Sequence, residues 1–466
     1  MKKLNKIFKD LVKLLPLVLF FSYYPVISFG ANETMNFELS LPLIWLVIFD
    51  GVAFVLLIKK KLLFKNLKWQ WWLFPAWLTL TLFWSQNVVR GILTVGILWL
   101  IYFVGFSMWA LRKEFDEKFR RSWWKWFYGS TIVVCFWCFL QCILDLVGVP
   151  RECSLMCSGC KYEIFGFPHP NGFAAEPQFM GNLLIAPAIT MAWMMVGKKA
   201  ESSVLNSKLL MIGFLIVTSA LFLTMSRGAI FAFLISMTAM SVVWLSKKRG
   251  LWKRVGMVWL MAVVSFFATL NLQGLMAEVS PTNDTYYSGV SKVVNQLTLG
   301  KVDLGGRNAK KEIEEESDDE TNQGQANFDG YVEISTEARM SANEAVLKVG
   351  FSSWQNALFG AGLGSASIVM YENGVFPTAK EIVNNEYLSL FLETGLIGMG
   401  LAVFTLVLIL KKLLKSQAKI MILGILMAYS ISLCFFSGLA NTLQVYLMPI
   451  IIGILTFKRQ DLYGKS

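Results

Sequence analysis

The feature that most constrains this chain is a recurrence of apolar runs of about 20 residues, the length that crosses a bilayer core as a helix, separated by short charged links. In hydrocarbon every backbone polar group must be satisfied within the chain, so such runs fold as helices and the links turn at the two surfaces. Composition agrees. Only 16% of the 466 residues are charged and 55% are hydrophobic, whereas soluble domains carry about 25% charged residues. The expected fold class is an all-α polytopic membrane protein with about 12 transmembrane helices, at roughly 11–29, 41–58, 70–86, 91–111, 126–149, 174–197, 208–224, 228–246, 251–270, 385–410, 418–437 and 441–457.

A net charge of +12 could suggest a nucleic-acid partner, but the cations form small clusters at alternate ends of the apolar runs. That is the pattern of the positive-inside rule. With the N-terminus inside, Lys59-Lys60-Lys61, Arg112 to Arg121, Lys198-Lys199, Lys247-Lys248-Arg249, Lys411-Lys412 and Lys458-Arg459 all fall on the cytoplasmic side, and both termini are cytoplasmic. The first thirty residues resemble a signal peptide, yet no small-x-small cleavage site precedes the next run, so an uncleaved first helix is expected.

The long polar interruption at 271–383 is the one place with room for an aqueous domain, and it divides the chain. Residues 1–270 hold the first nine helices, 271–383 a large extracytoplasmic loop, and 384–466 the last three helices. The acidic run from Glu312 to Glu320 reads as a solvated, flexible stretch. Beyond it, Ser335–Leu358 places Met340, Val346, Val349 and Trp354 at loosely helical spacing, which predicts a helix lying on the membrane surface. Arg90, Arg151, Lys161, Arg227, Arg307 and Arg339 remain on the outer side, the side depleted of cations, and so call for a reason.

Several motifs have a structural reading as well as a chemical one. Cys153, Cys157 and Cys160 have iron–sulfur-like spacing but sit on an exported loop, where a disulfide between two of them, or free thiols, fits better. Cys135, Cys138, Cys142 and Cys434 read as small apolar residues within spans. Gly360-Ala361-Gly362-Leu363-Gly364 lacks the preceding strand of a dinucleotide site and reads as a tight turn back to the bilayer. His169 is the single histidine, which argues against a protein-bound metal.

Arg227 opens a helix, where its charge opposes the helix dipole. Beside free helix N–H groups, its guanidinium suits a phosphate; snorkelling to lipid headgroups is the structural alternative. Glu176 stands near a membrane boundary, where a carboxylate is costly without a partner or a task. In the helix opened by Asn384, Glu386 and Glu393 are seven apart and share one face. At 1.5 Å per residue Glu393 lies about 13 Å into the bilayer. Asp50, in mid-span, could equally form a structural hydrogen bond.

Taken in order, Pro170-Asn171 to Glu176-Pro177, Ser226-Arg227-Gly228, Arg339 followed by Leu358-Phe359-Gly360-Ala361-Gly362-Leu363-Gly364, and Asn384-Asn385-Glu386-Tyr387-Leu388 followed by Glu393-Thr394-Gly395 resemble the O-antigen ligase and O-antigen polymerase superfamily of bacterial membrane glycan assembly. The resemblance covers about 165–400. It implies a GT-C-like fold and a metal-independent glycosyltransferase, with no cofactor, acting on glycans carried by undecaprenyl diphosphate at the outer face of the cytoplasmic membrane. A chain-length regulator and a flippase are the protein partners it implies. By analogy Arg227 and Arg339, with Lys161 third, grip the diphosphate leaving group. Glu176, Asn384 and Glu386 become the catalytic candidates, while Asn171, Asn385, Tyr387 and Glu393 position substrate.

One departure matters. Ligases of this family carry a His where this chain has Asn384, and Asn cannot take the acceptor's proton. The substitution favours a polymerase that joins lipid-linked repeat units into a capsule, exopolysaccharide or O-antigen, with a ligase as the alternative. A lipid-linked oligosaccharide flippase is a third reading. It would be expected to show repeat symmetry between halves and ionisable groups along a central path, and the sequence shows neither.

Overall fold

The structure is a computed structural model. It describes the chain except for residues 1, 25, 32–35, 64–67, 163–165, 198–205, 248, 283, 299–300, 303, 305–330, 415, 417, 437–442 and 457–466. Arg307, the acidic run from Glu312, and the clusters at 198–199 and 458–459 therefore lie outside the described residues, as does Lys248.

The described elements run in the order α1 (Lys2–Phe20), β1 (Val26–Ala31), β2 (Asn36–Ser40), α2 (Leu41–Lys59), α3 (Leu73–Leu80), α4 (Val88–Ala110), α5 (Glu117–Leu146) and α6 (Arg151–Ser154). Then come α7 (Pro177–Val196), α8 (Ser207–Leu223), α9 (Arg227–Lys247), α10 (Trp252–Val279) and α11 (Tyr286–Leu297). The last six are α12 (Tyr331–Gly350), α13 (Trp354–Phe359), α14 (Ala366–Glu372), α15 (Glu386–Leu413), α16 (Lys419–Ser432) and α17 (Leu443–Leu455).

Seven of these, α2, α4, α5, α7, α9, α10 and α15, are long and apolar enough to cross a membrane. Four more apolar helices are shorter: α3 with its following turn, α8, α16 and α17. The protein is thus a helical, multi-pass membrane protein. Helix length alone supports seven of the twelve expected crossings.

One expectation is corrected at the N-terminus. The span read at 11–29 is helical from Lys2 only to Phe20, and Val26–Ala31 is a strand paired antiparallel to Asn36–Ser40, with Val26 opposite Ser40. Outside this short hairpin the described elements are helical, in keeping with the all-α polytopic class. The physical reason for the hairpin lies in the β-branched Val26 and Ile27, which favour an extended chain after the helix. The helix that carries the ninth span continues past 270 to Val279. The 271–383 segment accordingly begins as helix.

The predicted surface helix over Ser335–Leu358 divides into α12 and α13. Its apolar residues do not share one exposed face. Val346 is fully buried with Val369, Met370, Val383 and Leu392, whereas Met340 and Trp354 are each 67% exposed. Part of this helix is a packing element of the protein itself.

At the centre of the bundle stands α7, most of it buried. Small residues allow its neighbours to close in: a Cβ at Gly181 would lie 2.9 Å from the Ala229 Cβ of α9. By contrast α15 is buried over only 17% of its apolar stretch, so this helix runs along the outside of the bundle.

The two ends of the bundle differ chemically. At one, Asn5 donates to Glu114 at 2.7 Å and Lys60 pairs with the same carboxylate. Lys412 stands 4.1 Å over the Trp71 ring and 4.8 Å over that of Trp109. This is the basic end. The other carries the hairpin, where Tyr23 and Tyr24 donate their backbone N–H groups to the Phe173 carbonyl at 2.9 and 3.0 Å. The N-termini of α4, α7, α9 and α15 open at this hairpin end.

Candidate active site

The first part of the site is the opening leg of α15. Asn385 caps it, its Oδ1 accepting from the N–H groups of Tyr387 at 3.1 Å and Leu388 at 3.2 Å, the usual use of an Asn side chain at a helix start. The Glu386 N–H donates to the Leu433 carbonyl at 2.9 Å, and the Tyr446 hydroxyl donates to Glu386 Oε1 at 2.6 Å. Tyr387 donates its hydroxyl to the Ser430 carbonyl at 2.9 Å. Asn384 stands half-buried just before the cap.

The leg ends in a kink at Gly395, whose φ of 66° is outside the helical range. A Cβ there would lie 2.2 Å from the Leu358 carbonyl oxygen, so the backbone of the α13 end fills the place a side chain would take. The Gly360–Gly364 turn then locks to the leg. The Ala361 N–H donates to the Leu392 carbonyl at 2.8 Å and the Gly362 N–H to that of Glu393 at 2.9 Å.

On its other side the same turn meets the start of α4. Ser85 Oγ donates to the Leu363 carbonyl at 2.7 Å, Trp84 Nε1 to the Gly360 carbonyl at 3.2 Å, and the Gln86 N–H to Ser365 Oγ at 2.8 Å. The glycine run is therefore a tight turn, as its sequence suggests, and it joins two membrane helices that are distant in the chain.

Glu393 occupies the junction. The Ala366 N–H donates to its Oε1 at 3.2 Å, the Gly364 N–H also donates to the carboxylate, and the charge of Arg90 acts on it. Arg90 in turn donates to Ser367 Oγ at 2.6 Å. Three separate segments, 90, 364–367 and 393, thus build one charged cluster. Sequence reasoning marks Arg90 as an outer cation that needs a reason and stops there. Its partners Ser367 and Glu393 come from far along the chain, with Ser367 lying 277 residues away, and only the turn brings them within reach.

Glu386, Tyr387 and Glu393 line a crevice of about 390 Å³ that descends between α4, α15, α16 and α17 to Trp71, Trp109 and Lys412 at the basic end. Its walls between these ends are apolar, with Tyr102, Leu406 and Ile450 among them. The shared face expected for Glu386 and Glu393 is consistent with their both fronting this crevice.

The remaining candidates lie elsewhere at the hairpin end. Asn171 is fully buried, donating to the carbonyls of Leu155 at 3.1 Å and Ala174 at 2.5 Å and accepting from the Cys157 N–H at 3.2 Å. Gln141 closes the same knot through Gly172, donating to its carbonyl at 3.0 Å and accepting from its N–H at 2.7 Å. Its hydrogen-bonding groups are engaged in holding this loop. Cys157 and Cys160 form a disulfide here, and Cys153 is free and exposed.

Glu176 is exposed at the start of α7, where Gln178 Nε2 donates to it at 2.6 Å. Lys161 is half-buried next to the disulfide. Arg227 is the first residue of α9, and the adjoining Gly228 packs on Phe435, against whose Cβ a side chain at 228 would stand 2.9 Å away. Since Glu386 donates to Leu433 of the same turn, Arg227 and Glu386 flank the C-terminal end of α16. Arg339 is half-buried on α12, which packs on α15. Neither the crevice nor the larger polar cleft beside α14 is lined by Arg227, Arg339 or Lys161.

Among the described residues no three His, Cys, Asp or Glu side chains stand together so as to hold a metal ion. His169 is buried, its ring 5.0 Å from that of Phe167, and burial pushes its imidazole down to about 3.

No curated protein matches the chain. The family model described as O-antigen ligase matches residues 212–403, from α8 through the kink of α15. That interval holds Arg227, Arg339, the Gly360–Gly364 turn and the leg from Asn384 to Glu393. Over those residues the chain is similar to the O-antigen ligase family, which supports a place in the O-antigen ligase and polymerase superfamily.

Proposed function

We propose that this protein is a polymerase that joins undecaprenyl-diphosphate-linked oligosaccharide repeats into a surface polysaccharide at the outer face of the cytoplasmic membrane. The O-antigen ligase domain supports a ligase- or polymerase-type glycosyl transfer in general. What supports a lipid-diphosphate donor is the crevice: an apolar channel along the outer helix α15, with carboxylates at its hairpin end and Arg90 acting on Glu393, suits an isoprenoid tail whose charged head rests among polar groups. The preference for a polymerase rests on Asn384. The positive-inside rule makes the basic end cytoplasmic, which puts the carboxylates on the exported side.

The reaction is a displacement at the anomeric carbon. The acceptor hydroxyl oxygen forms the new bond to that carbon, the bond to the diphosphate oxygen breaks, and the diphosphate leaves with the electron pair. The acceptor proton passes to a carboxylate. Glu386 and Glu176 are the candidate bases, because Asn384 cannot accept it. Charge builds on the departing diphosphate, so preorganised cations lower the barrier. Arg227 and Arg339 fill that role by family analogy, with Lys161 third, and Arg90 is added by its action on Glu393, which does line the crevice. Asn385, Tyr387 and Glu393 shape the donor end, while Asn171 holds the loop that carries Lys161.

A ligase is the second reading, favoured by the description of the matching family. Purified protein given only lipid-linked repeats decides between the two. Longer lipid-linked products mark a polymerase, and turnover that begins only when a second acceptor is added marks a ligase. Loss of either activity in Arg227→Ala and Arg339→Ala, with the protein still in the membrane, is the expected result for the diphosphate grip. Unchanged product in both variants would remove it.

A further inference from the structure

A second cavity, of about 510 Å³, is lined by Gly360 and Ala361 of the turn, whereas the crevice is lined by its Leu363. Its size falls within the ~300–1,000 Å³ of small-ligand sites. Its chemistry differs from that of the crevice. Trp84, Gln86, Lys348, Asn356, Glu372 and Asn373 line it, contributed by the turn before α4 and by α12, α13 and α14. The Trp84 ring is 39% exposed, and its indole N–H is already engaged with the Gly360 carbonyl, so what it presents is an apolar face.

The lining carries one cation and one carboxylate, and Lys348 is paired with Glu344 at 2.8 Å. Such a cleft has no surplus charge with which to grip a diphosphate. It offers instead an aromatic face beside amide and carboxylate edges, which match the apolar C–H faces and the hydroxyl edges of a sugar ring. The cleft and the crevice meet across one peptide. Leu392 lines the cleft and Glu393 lines the crevice, and the turn that contributes to both cavities is bonded to both residues through Ala361 and Gly362.

We propose that this cleft is a glycan-binding subsite for the sugar part of the acceptor, lying against Trp84 and bonded by Gln86, Asn356, Glu372 and Asn373, with its reacting end directed over the turn toward Glu393. The proposal rests on the glycosyl-transfer reading above and names the second substrate's place in it. The donor lipid and the acceptor glycan then approach the junction from different sides, so neither has to leave for the other to bind.

The test uses the full-length chain in nanodiscs and, as probe, lipid-free repeat-unit oligosaccharide released from the producing cells' surface polysaccharide. Calorimetric titration is expected to show binding that Trp84→Ala weakens by at least about tenfold. Because Trp84 also braces the turn, Gln86→Ala and Glu372→Gln are measured beside it. Both residues are exposed, and each variant is expected to weaken the oligosaccharide and to raise the acceptor KM more than it lowers kcat. If the wild-type chain lengthens or transfers lipid-linked glycan yet fails to bind the oligosaccharide, or binds it unchanged in all three variants, the cleft is not a glycan subsite and the transferase reading stands. If the wild-type chain transfers no glycan to any acceptor, the transferase reading fails and this subsite fails with it.

Discussion

Gly360 and Gly395 are interlocked. Each has a left-handed backbone, with φ of 73° and 66°, and each lies against the chain next to the other: a Cβ on Gly360 would sit 2.4 Å from the Thr394 nitrogen, and one on Gly395 2.2 Å from the Leu358 oxygen. The kink that aims the carboxylates of α15 and the turn that contributes to the two cavities are thus one structural unit. Neither can take a side chain without displacing the other.

Gly360→Ala and Gly395→Ala are therefore expected to cost far more than the about 1–2 kcal/mol of a left-handed alanine alone, because backbone is what the new methyl would strike. Two controls separate the causes. Gly374 has a φ of 70° with nothing within 4 Å of a Cβ, and Gly400 lies in helix with equally open space. Gly374→Ala is expected to cost only the conformational strain, and Gly400→Ala to gain up to about 1 kcal/mol. Thermal unfolding of all four variants in one detergent gives the order. Equal melting temperatures for Gly395→Ala and Gly374→Ala would show that the close approach is unimportant.

The Arg90 cluster makes a second prediction. Removing a preorganised charge at a site of this kind costs on the order of 10²–10³ in rate, so Arg90→Gln and Glu393→Gln are each expected to slow glycan transfer by about that factor. The two groups act on each other, so the double variant should lose less than the product of the single losses, with a coupling of about 0.5–3 kcal/mol. Strict multiplication of the two losses, measured as initial rates on lipid-linked repeats, would mean that they work separately.

The uneven legibility of this site in the sequence has a physical basis. Periodicity and apolar length reveal a helix because both are local, and the helix read as opened by Asn384 begins close by, with Asn385 as its cap and Glu386 as its first residue. Glu393 stands out because a carboxylate within an apolar run needs a reason. Arg90 and Trp84 carry no such local signal of partnership, since their meaning comes from the 360–367 turn, which the chain reaches only after helices α5 to α13. The hairpin after α1 was hidden for a different reason: Val26 to Phe29 is as apolar as a span, and hydropathy alone does not distinguish strand from helix over so few residues.

The cysteines provide a test of both pairing and sidedness. Cys157 and Cys160 are disulfide-bonded and Cys153 is free and exposed. In a Cys434→Ser background, a membrane-impermeant maleimide added to intact cells with a permeable outer envelope is expected to label Cys153 at once, and Cys157 and Cys160 only after reduction. A loop closed over so few residues is stabilised by about 2 kcal/mol in the chain-entropy account, so reduction should soften the Asn171 knot without unfolding the bundle. Labelling of Cys153 only after the cells are lysed would place this end of the molecule in the cytoplasm and reverse the proposed orientation.

His169 gives the loop a pH dependence whose sign follows from burial. The folded imidazole is pushed down to about 3, while an unfolded chain titrates near the ordinary 6.5. Below about pH 6.5 the unfolded state takes up a proton that the folded state refuses, so stability falls as the pH drops, with a slope approaching about 1.4 kcal/mol per pH unit, and levels off near pH 3. Above pH 6.5 both states are neutral at this residue and it contributes no slope. Carboxylates titrate over part of the same range, which makes the difference between wild type and His169→Phe the informative quantity. The Phe variant keeps a ring beside Phe167 and has nothing to protonate, so its stability is expected to decline less steeply between pH 6.5 and pH 5, where few carboxylates interfere. Parallel stability curves for the two proteins over that interval would show that the imidazole is not held neutral by this pocket.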